Sequence, residues 1–314
     1  MNASSRLGSK RMGRTEISIV IGTLNRKEML INCIKSIRSN GITVPYETIV
    51  IDGGSDDGTT AWLSEQQDIL TIIHHNRVNQ DGHLAMKRSW GYFMNLGFKS
   101  AEGKYVCMLS DDCYIHPDAI MNGYHLMEED TEGLIGGCAF PFRNSLIDNR
   151  FMVYRAFGDK ILINHGLYRK SALQEIGWID EDNFKFYLAD SDLSLRIWEK
   201  GQTITVAMNA YVEHLHNEFD PMRVINRMEA EESGDFLRFK GMWVPRFRWR
   251  EDGPIIEKKV FDLPVPNRLD RYLPADLKGR FLLLDRWVKR HIGRDYRLYG
   301  LLKSMKHALF RVHE

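Results

Sequence analysis

The chain has 314 residues, 43% hydrophobic and 27% charged, which suits a globular protein with a sizeable core rather than a disordered one. A net charge of +1 gives no bulk footprint for nucleic acid, and no run approaches the roughly 18 apolar residues of a bilayer span. The four cysteines (Cys33, Cys107, Cys113, Cys138) include no Cys-x-x-Cys pair, and residues 1–15 are polar and basic without an apolar leader segment. The expected location is therefore the cytoplasm, with 1–15 a loose tail.

In chain order, Ile17 to Gly22 reads as a strand buried on both faces. Asn25 stands three residues before Glu28, an Asn form of the capping box. It predicts a helix with an apolar stripe of Leu30, Cys33, Ile34 and Ile37, stopped at Asn40-Gly41. Glu47 to Asp52 is a second strand, ending in the turn GGSDDG. A helix near Thr60–Gln66, a strand Ile69–His74, a helix near Leu84–Ser100 and a strand Lys104–Leu109 follow. Strands alternating with helices at this spacing predict an α/β fold with a mostly parallel sheet flanked by helices. Ligands in such sheets sit beyond the carboxyl ends of the strands, so the segments after Gly22, Asp52 and Leu109 should carry the chemistry.

The second half predicts strands near Leu134–Phe140 and Ile161–Leu167 and a short helix from Ser171. Next come a helix Ser191–Lys200 closed by Gly201, a strand Thr203–Ala207 and a helix Met222–Arg238. From Gly241 five prolines (Pro245, Pro254, Pro264, Pro266, Pro274) mark a linker-like stretch, and the last forty residues are basic with a helical pattern. The domain reading is a tail at 1–15, a catalytic domain at 16–240 divided near 112, and a linker plus basic amphipathic helical extension at 241–314.

Ser110-Asp111-Asp112 directly follows a buried strand. Adjacent carboxylates repel unless a cation lies between them or solvent screens them, and a hard divalent cation takes such oxygens and bridges phosphates. The plain alternative is an Asp-Asp surface turn. Asp52 ends the second strand, where it either accepts from a nucleotide's base or ribose or caps the Gly53-Gly54 turn. Of Asp190 and Asp192 at a helix start, one serves as a cap and the other is free to act as a base. His214 and His216 follow a strand, and nothing local prefers one over the other. His74, His75 and His83 read as structural.

Over roughly Ile17 to His214 the chain resembles the family 2 glycosyltransferases of the GT-A type. ISIVIGTLNRKEMLINCIKSI is similar to their opening strand, Thr-x-Asn loop and helix, and IVIDGGSDDGT to their Val-Asp-Asp-Gly-Ser-x-Asp-Gly-Thr segment. NLGFKSAEGKYVCMLSDDCYIHPDAI matches their Asp-x-Asp run, and GWIDEDNFKFYLADSDLSLRIWEKG the stretch with Glu-Asp-x-Asp-Leu. The chain departs from the pattern at Gly53, at Ser110 and at Ala189, and it has no Gln-x-x-Arg-Trp sequence, which argues against a processive synthase.

The resemblance implies a GT-A, Rossmann-like sheet and inverting transfer of a sugar from a nucleotide-diphosphate donor to a saccharide or lipid-linked acceptor, as in cell-surface glycan synthesis. It implies Mn2+ or Mg2+ held by Asp112 and His214, with Asp190 as the base. It places Thr23, Asn25, Asp52, Lys87, Arg88 and Asp111 on the donor, and Gly166 and Asp192 on the acceptor. A sugar-phosphate nucleotidyltransferase and a silent glycosyltransferase-like binding module are the alternatives. The basic segment from Arg280 to Arg311 either lies on the inner membrane surface or packs on the protein or a second subunit.

Overall fold

Alternating apolar side chains set the strands of the central sheet. The computed structural model describes residues 14–76, 87–144, 150–215, 221–250 and 254–261. The first half runs β1 (Ile17–Thr23), α1 (Lys27–Arg38), β2 (Tyr46–Asp52), α2 (Thr59–Ser64), β3 (Ile69–Ile73), α3 (Trp90–Ser100), β4 (Tyr105–Ser110), β5 (Cys113–Ile115) and α4 (Ala119–Glu129). The second half continues with β6 (Ile135–Ala139), β7 (Phe142–Arg143), β8 (Phe151–Ala156), β9 (Lys160–Leu162), β10 (Gly166–Arg169), α5 (Lys170–Glu175) and α6 (Ala189–Glu199). It ends with β11 (Thr203–Val206), β12 (Val212–His214), α7 (Pro221–Ser233), α8 (Asp235–Arg246) and β13 (Ile256–Phe261).

The main sheet has seven strands in the order β11-β6-β10-β4-β1-β2-β3. β1 pairs in parallel with both β2 and β4, and β3 adds in parallel to β2, whereas β10 runs antiparallel between β4 and β6. Both faces are buried. Ile17, Ile19 and Ile21 join one core with Val50, Cys107 and Leu109, while Val20, Ile49, Ile51, Val106 and Met108 join the other. That two-residue alternation with apolar residues on each side is why the strands read as near-continuous apolar runs. A second sheet, β13-β8-β7-β12-β5, with β9 on β8, sets β12 antiparallel to β5, so His214 faces Cys113 across the ladder.

Several expected elements change. α1 is not capped by Asn25: Arg26 holds the cap position without a side-chain bond, and the N–H of Lys27 is taken instead by Asp57 Oδ2 from the next loop, at 2.9 Å. Of the helix expected from Leu84, residues 84–86 lie outside the described residues and Lys87 to Ser89 are non-helical. Ser89 Oγ accepts from the N–H of Tyr92 at 3.2 Å and starts α3 at Trp90. The strand expected at Ile161–Leu167 is two pieces, β9 and β10, in different sheets. The helix expected at Met222–Arg238 breaks at Gly234, whose φ of 71° opens α8.

The expected boundary at 240/241 falls inside α8, and part of the expected linker is β13, paired antiparallel with β8. Apart from Asn144, the described residues belong to one compact unit. The last forty residues, where the basic helical extension is expected, fall within 262–314 and lie outside the described residues, as do His83 and His216. No described helix is long and apolar enough to cross a membrane.

Candidate active site

The parallel strands β1 and β4 end side by side, and the polar residues that follow them meet. Thr23 Oγ1 donates to Asp111 Oδ2 at 2.9 Å, and Arg26 Nη1 donates to Asp111 Oδ1 at 2.9 Å while lying 3.8 Å from Asp112 Oδ2. From the second sheet, His214 Nε2 comes within 3.1 Å of Asp112 Oδ1. Asp112 Oδ1 is thus a solvent-shielded carboxylate oxygen with an imidazole as its ion-pair neighbour and no further side chain bonded to it. His165, itself buried, sets its ring edge-on to His214 with centroids 4.7 Å apart, and Phe142 packs edge-on against both.

The two carboxyls are driven apart electrically. Burial would raise Asp112, but His214 and Arg26 override it and hold that carboxyl well below the usual range. Asp111 is pushed up to about 6, by burial first and by the Asp112 charge as well, against the pull of Arg26 and Thr23. An ionised, buried oxygen with an imidazole beside it fits a hard divalent cation. Among the described residues, however, no three such side chains converge as a ready-made cage. A cation that takes two protein donors and completes its sphere from phosphate and water is the pattern of nucleotide-bound metals.

Asp190 lies at the second position of α6. Its Oδ1 accepts from the N–H of Ser191 at 2.8 Å, and its Oδ2 accepts from Asn164 Nδ2 at 2.7 Å. Burial raises its carboxyl, and the bonds from Ser191 and Asn164 oppose that rise. Leu188, just ahead, takes a φ of 66°, a left-handed conformation that an apolar residue adopts only where the surroundings impose it. Asn164 and His165 are neighbours in sequence, so one short stretch touches both Asp190 and the His214 corner.

Thr23, Lys87, Arg88, Asp111, Asp112, Asp190 and His214 all line one cavity of about 320 Å³. Arg88 lies over the Tyr92 ring at 4.9 Å, and its N–H is held by Asn76 Oδ1 at 2.7 Å. Trp90, Phe186 and Tyr187 form an aromatic wall with Lys185 on the side of Asp190.

Four expected ligand residues are not on this lining. Asp52 is fully buried. Its Oδ1 accepts from the N–H groups of Gly54 and Ser55 at 3.2 and 3.0 Å and from Ser55 Oγ at 2.6 Å, and its Oδ2 accepts from Thr60 Oγ1 at 2.5 Å. It ties the turn, the alternative open from sequence. Asn25 does related work at a φ of 52°: its N–H donates to Ser55 Oγ, and its Oδ1 accepts from the N–H of Asp56, both at 2.8 Å. The loops after β1 and β2 are thereby knitted together.

Asp192 is fully buried and spent on Arg196 Nε at 2.8 Å and Trp243 Nε1 at 3.0 Å, so it is no acceptor ligand. A Cβ at Gly166 would come within 2.1 Å of the Cys138 carbonyl oxygen, so the glycine serves close strand packing rather than acceptor room. Sequence reasoning missed Arg26, Asn164, His165 and the aromatic wall, although Arg26 stands inside the loop already singled out.

The family model described as "Glycosyl transferase family 2" matches residues 18–187. Glycosyltransferase AglE of Haloferax volcanii is 28% identical over 127 residues, 38% of this chain and 38% of that protein. Chondroitin synthase of Escherichia coli is 25% identical over 237 residues, 75% of this chain and 29% of that protein. The chain thus spans well under half the length of either relative. Two solved structures share the fold. S. aureus TarS 1-349 in complex with UDP-GlcNAc has TM-score 0.52 and 14% identity, covering 87% of this chain and 79% of that one. Mannosyltransferase PcManGT from Pyrobaculum calidifontis in complex with GDP-Man and Mn2+ has TM-score 0.51 and 13% identity, covering 72% and 64%. The chain belongs to glycosyl transferase family 2, and its fold is the GT-A type that the motifs implied.

Proposed function

We propose that this family 2 member transfers a sugar from a nucleoside-diphosphate donor to an acceptor hydroxyl with inversion at the anomeric carbon, in glycan assembly. One observation carries the reading: a single cavity brings the buried Asp111–Asp112–His214 cluster to the same space as Asp190. Nucleotide sugars and Mn2+ are named with the structural neighbours above, which supports the same ligand class here.

In this reading Asp112 and His214 hold the cation, with Asp111 and Thr23 buttressing it and Arg26, Lys87 and Arg88 facing the diphosphate. When bound, the cation offsets the negative charge that grows on the departing diphosphate. Asp190, oriented by Asn164, accepts the proton of the acceptor hydroxyl as that oxygen bonds to the anomeric carbon and the carbon–phosphate-oxygen bond breaks. A positioned base contributes typically about 10² to 10⁴-fold. The acceptor, a saccharide or lipid-linked saccharide, lies against Trp90, Phe186 and Tyr187.

Thermal-shift screening of UDP- and GDP-sugars with Mn2+ or Mg2+, followed by assay of nucleoside diphosphate release, tests the reading. A ligand present in excess of its dissociation constant by about a hundredfold should stabilise by about 2.7 kcal/mol. Binding with no turnover for any acceptor would favour the silent module. Four buried, unpaired cysteines support a reducing compartment, and the sequence pattern of 280–311 supports contact with an anionic membrane surface. Liposome flotation of the full chain and of a chain ending at Gly279 tests that contact, and equal binding by both removes it.

A further inference from the structure

The aromatic wall of the cavity is held by a residue from outside the family match. Asp235, only 1% exposed, opens α8, whereas the match ends at residue 187. Its carboxylate accepts from three successive backbone N–H groups: Lys185 onto Oδ1 at 3.0 Å, and Phe186 and Tyr187 onto Oδ2 at 2.9 and 3.0 Å. Ser233 Oγ adds a fourth donor, to Oδ1 at 2.7 Å. Lys185, Phe186 and Tyr187 are the wall itself, and Leu188 leads from them directly into α6 and Asp190.

Two further contacts tie the same elements. The Lys185 carbonyl accepts from the N–H of Trp90 at 2.8 Å, joining the wall to the start of α3. Trp243, fully buried on α8, donates its indole N–H to Asp192 in the first turn of α6. These three residues lie in a bend and turn ahead of α6, and their N–H groups go to Asp235 rather than to a helix or strand. Without the carboxylate those donors would be buried unpaired or open to water, and the loop would lose its fixed course.

We propose that Asp235 is a positioning residue: its carboxylate clamps the Lys185–Tyr187 wall and thereby sets where the acceptor and Asp190 meet. The proposal rests on the reading of Asp190 as the base. Charge and shape both matter at this position, because only a carboxylate offers two oxygens to four donors. An asparagine keeps one. The Ser233 hydroxyl can turn to accept from the new amide, so Asp235→Asn should keep Phe186 and Tyr187 bonded and release Lys185 alone. Asp235→Ala should release all three.

Amide hydrogen exchange resolved at residues 185–187, in the full chain and both variants, reads the clamp directly. Beside it run Mn2+-dependent UDP and GDP binding and turnover of the donor found in the nucleotide-sugar screen. The expected result is graded. In Asp235→Asn the Lys185 amide exchanges at least about tenfold faster with Phe186 and Tyr187 little changed, and in Asp235→Ala all three do. Turnover should fall in the same order, by at least about tenfold in the alanine variant, with nucleotide affinity within about twofold of wild type. Unchanged exchange at these amides in Asp235→Ala overturns the proposal, as does faster exchange with undiminished turnover. General loss of protection across α6 and α8 in both variants makes the residue merely structural and overturns it too. If the wild-type chain turns over no nucleotide sugar, the transfer reading has failed by itself, and the exchange pattern alone decides the clamp.

Discussion

His214 Nε2 stands 3.1 Å from Asp112 Oδ1, an oxygen closed off from solvent with no further side chain bonded to it. Asp112 sits in the turn between β4 and β5, and the antiparallel register of β12 on β5, which sets His214 opposite Cys113, is what brings the two residues together. A cation between them would pair with the shielded oxygen. Asp112→Ala should therefore abolish Mn2+ binding measured by calorimetry in the presence of UDP or GDP. His214→Ala should weaken it by at least about tenfold, since loss of even an outer-sphere partner costs about 10 to 100-fold. Unaltered Mn2+ affinity in both variants would remove the cation from this corner.

Gly166→Ala separates packing from acceptor binding. The added methyl would meet the backbone of Cys138 at 2.1 Å, where no flexible side chain can yield, and Gly166 also holds a φ of 151°. Overpacking of a rigid core costs typically about 1–3 kcal/mol. The variant should melt earlier by that amount while each folded molecule keeps its turnover and acceptor KM. A raised acceptor KM with unchanged melting would restore the acceptor role.

What was legible in the sequence follows from where each signal resides. The parallel core was readable because Ile17–Thr23 and Tyr105–Ser110 are apolar on both faces, a property local to each strand. Asp111, Asp112, Asp190 and His214 were readable as candidates because each follows or opens an element at a motif position. What each carboxylate touches was not. Asp52 and Asp190 both sit at element ends, yet Asp52 is consumed by Gly54, Ser55 and Thr60, and only the folded turn shows it. Arg26 and Asp111 are 85 residues apart, Asp235 and Phe186 are 49 apart, and no local pattern joins them. The prolines after Gly241 suggested a linker, but strand pairing of Ile256–Phe261 with β8 overrode that local signal.

Asp192→Ala should destabilise the protein without removing a reacting group. Asp192 is fully buried and Arg196 only 17% exposed, so the substitution strands a shielded guanidinium and the Trp243 N–H together. Breaking such a pair from one side costs about 3 kcal/mol at the low end, appropriate because Arg196 also donates to the Ile176 carbonyl. Urea melts at neutral pH measure it. A loss under about 1 kcal/mol would show that the pair is not structural.

Asp190, the proposed base, carries the sharpest test, because a base must be ionised to work and this environment opposes ionisation. Burial raises its carboxyl while Ser191 and Asn164 donate to the charged form and pull it down. As pH falls through the raised value the base takes up its proton and the rate drops. The acid limb of kcat/KM should therefore lie above about 3.9, the ordinary aspartate value. Asn164→Ala removes a bond to the charged form only, at 2.7 Å, so the limb should move further up. The same shift makes ionised Asp190 a cost to folding above the unfolded-state value, so Asp190→Asn should not lower the neutral-pH melting temperature. That variant should still lose about 10²-fold or more in turnover, with nucleotide affinity retained. Asp192→Asn gives the contrasting pattern, a stability change with the limb unmoved. An acid limb that stays in place in Asn164→Ala, or an active Asp190→Asn, assigns the base elsewhere.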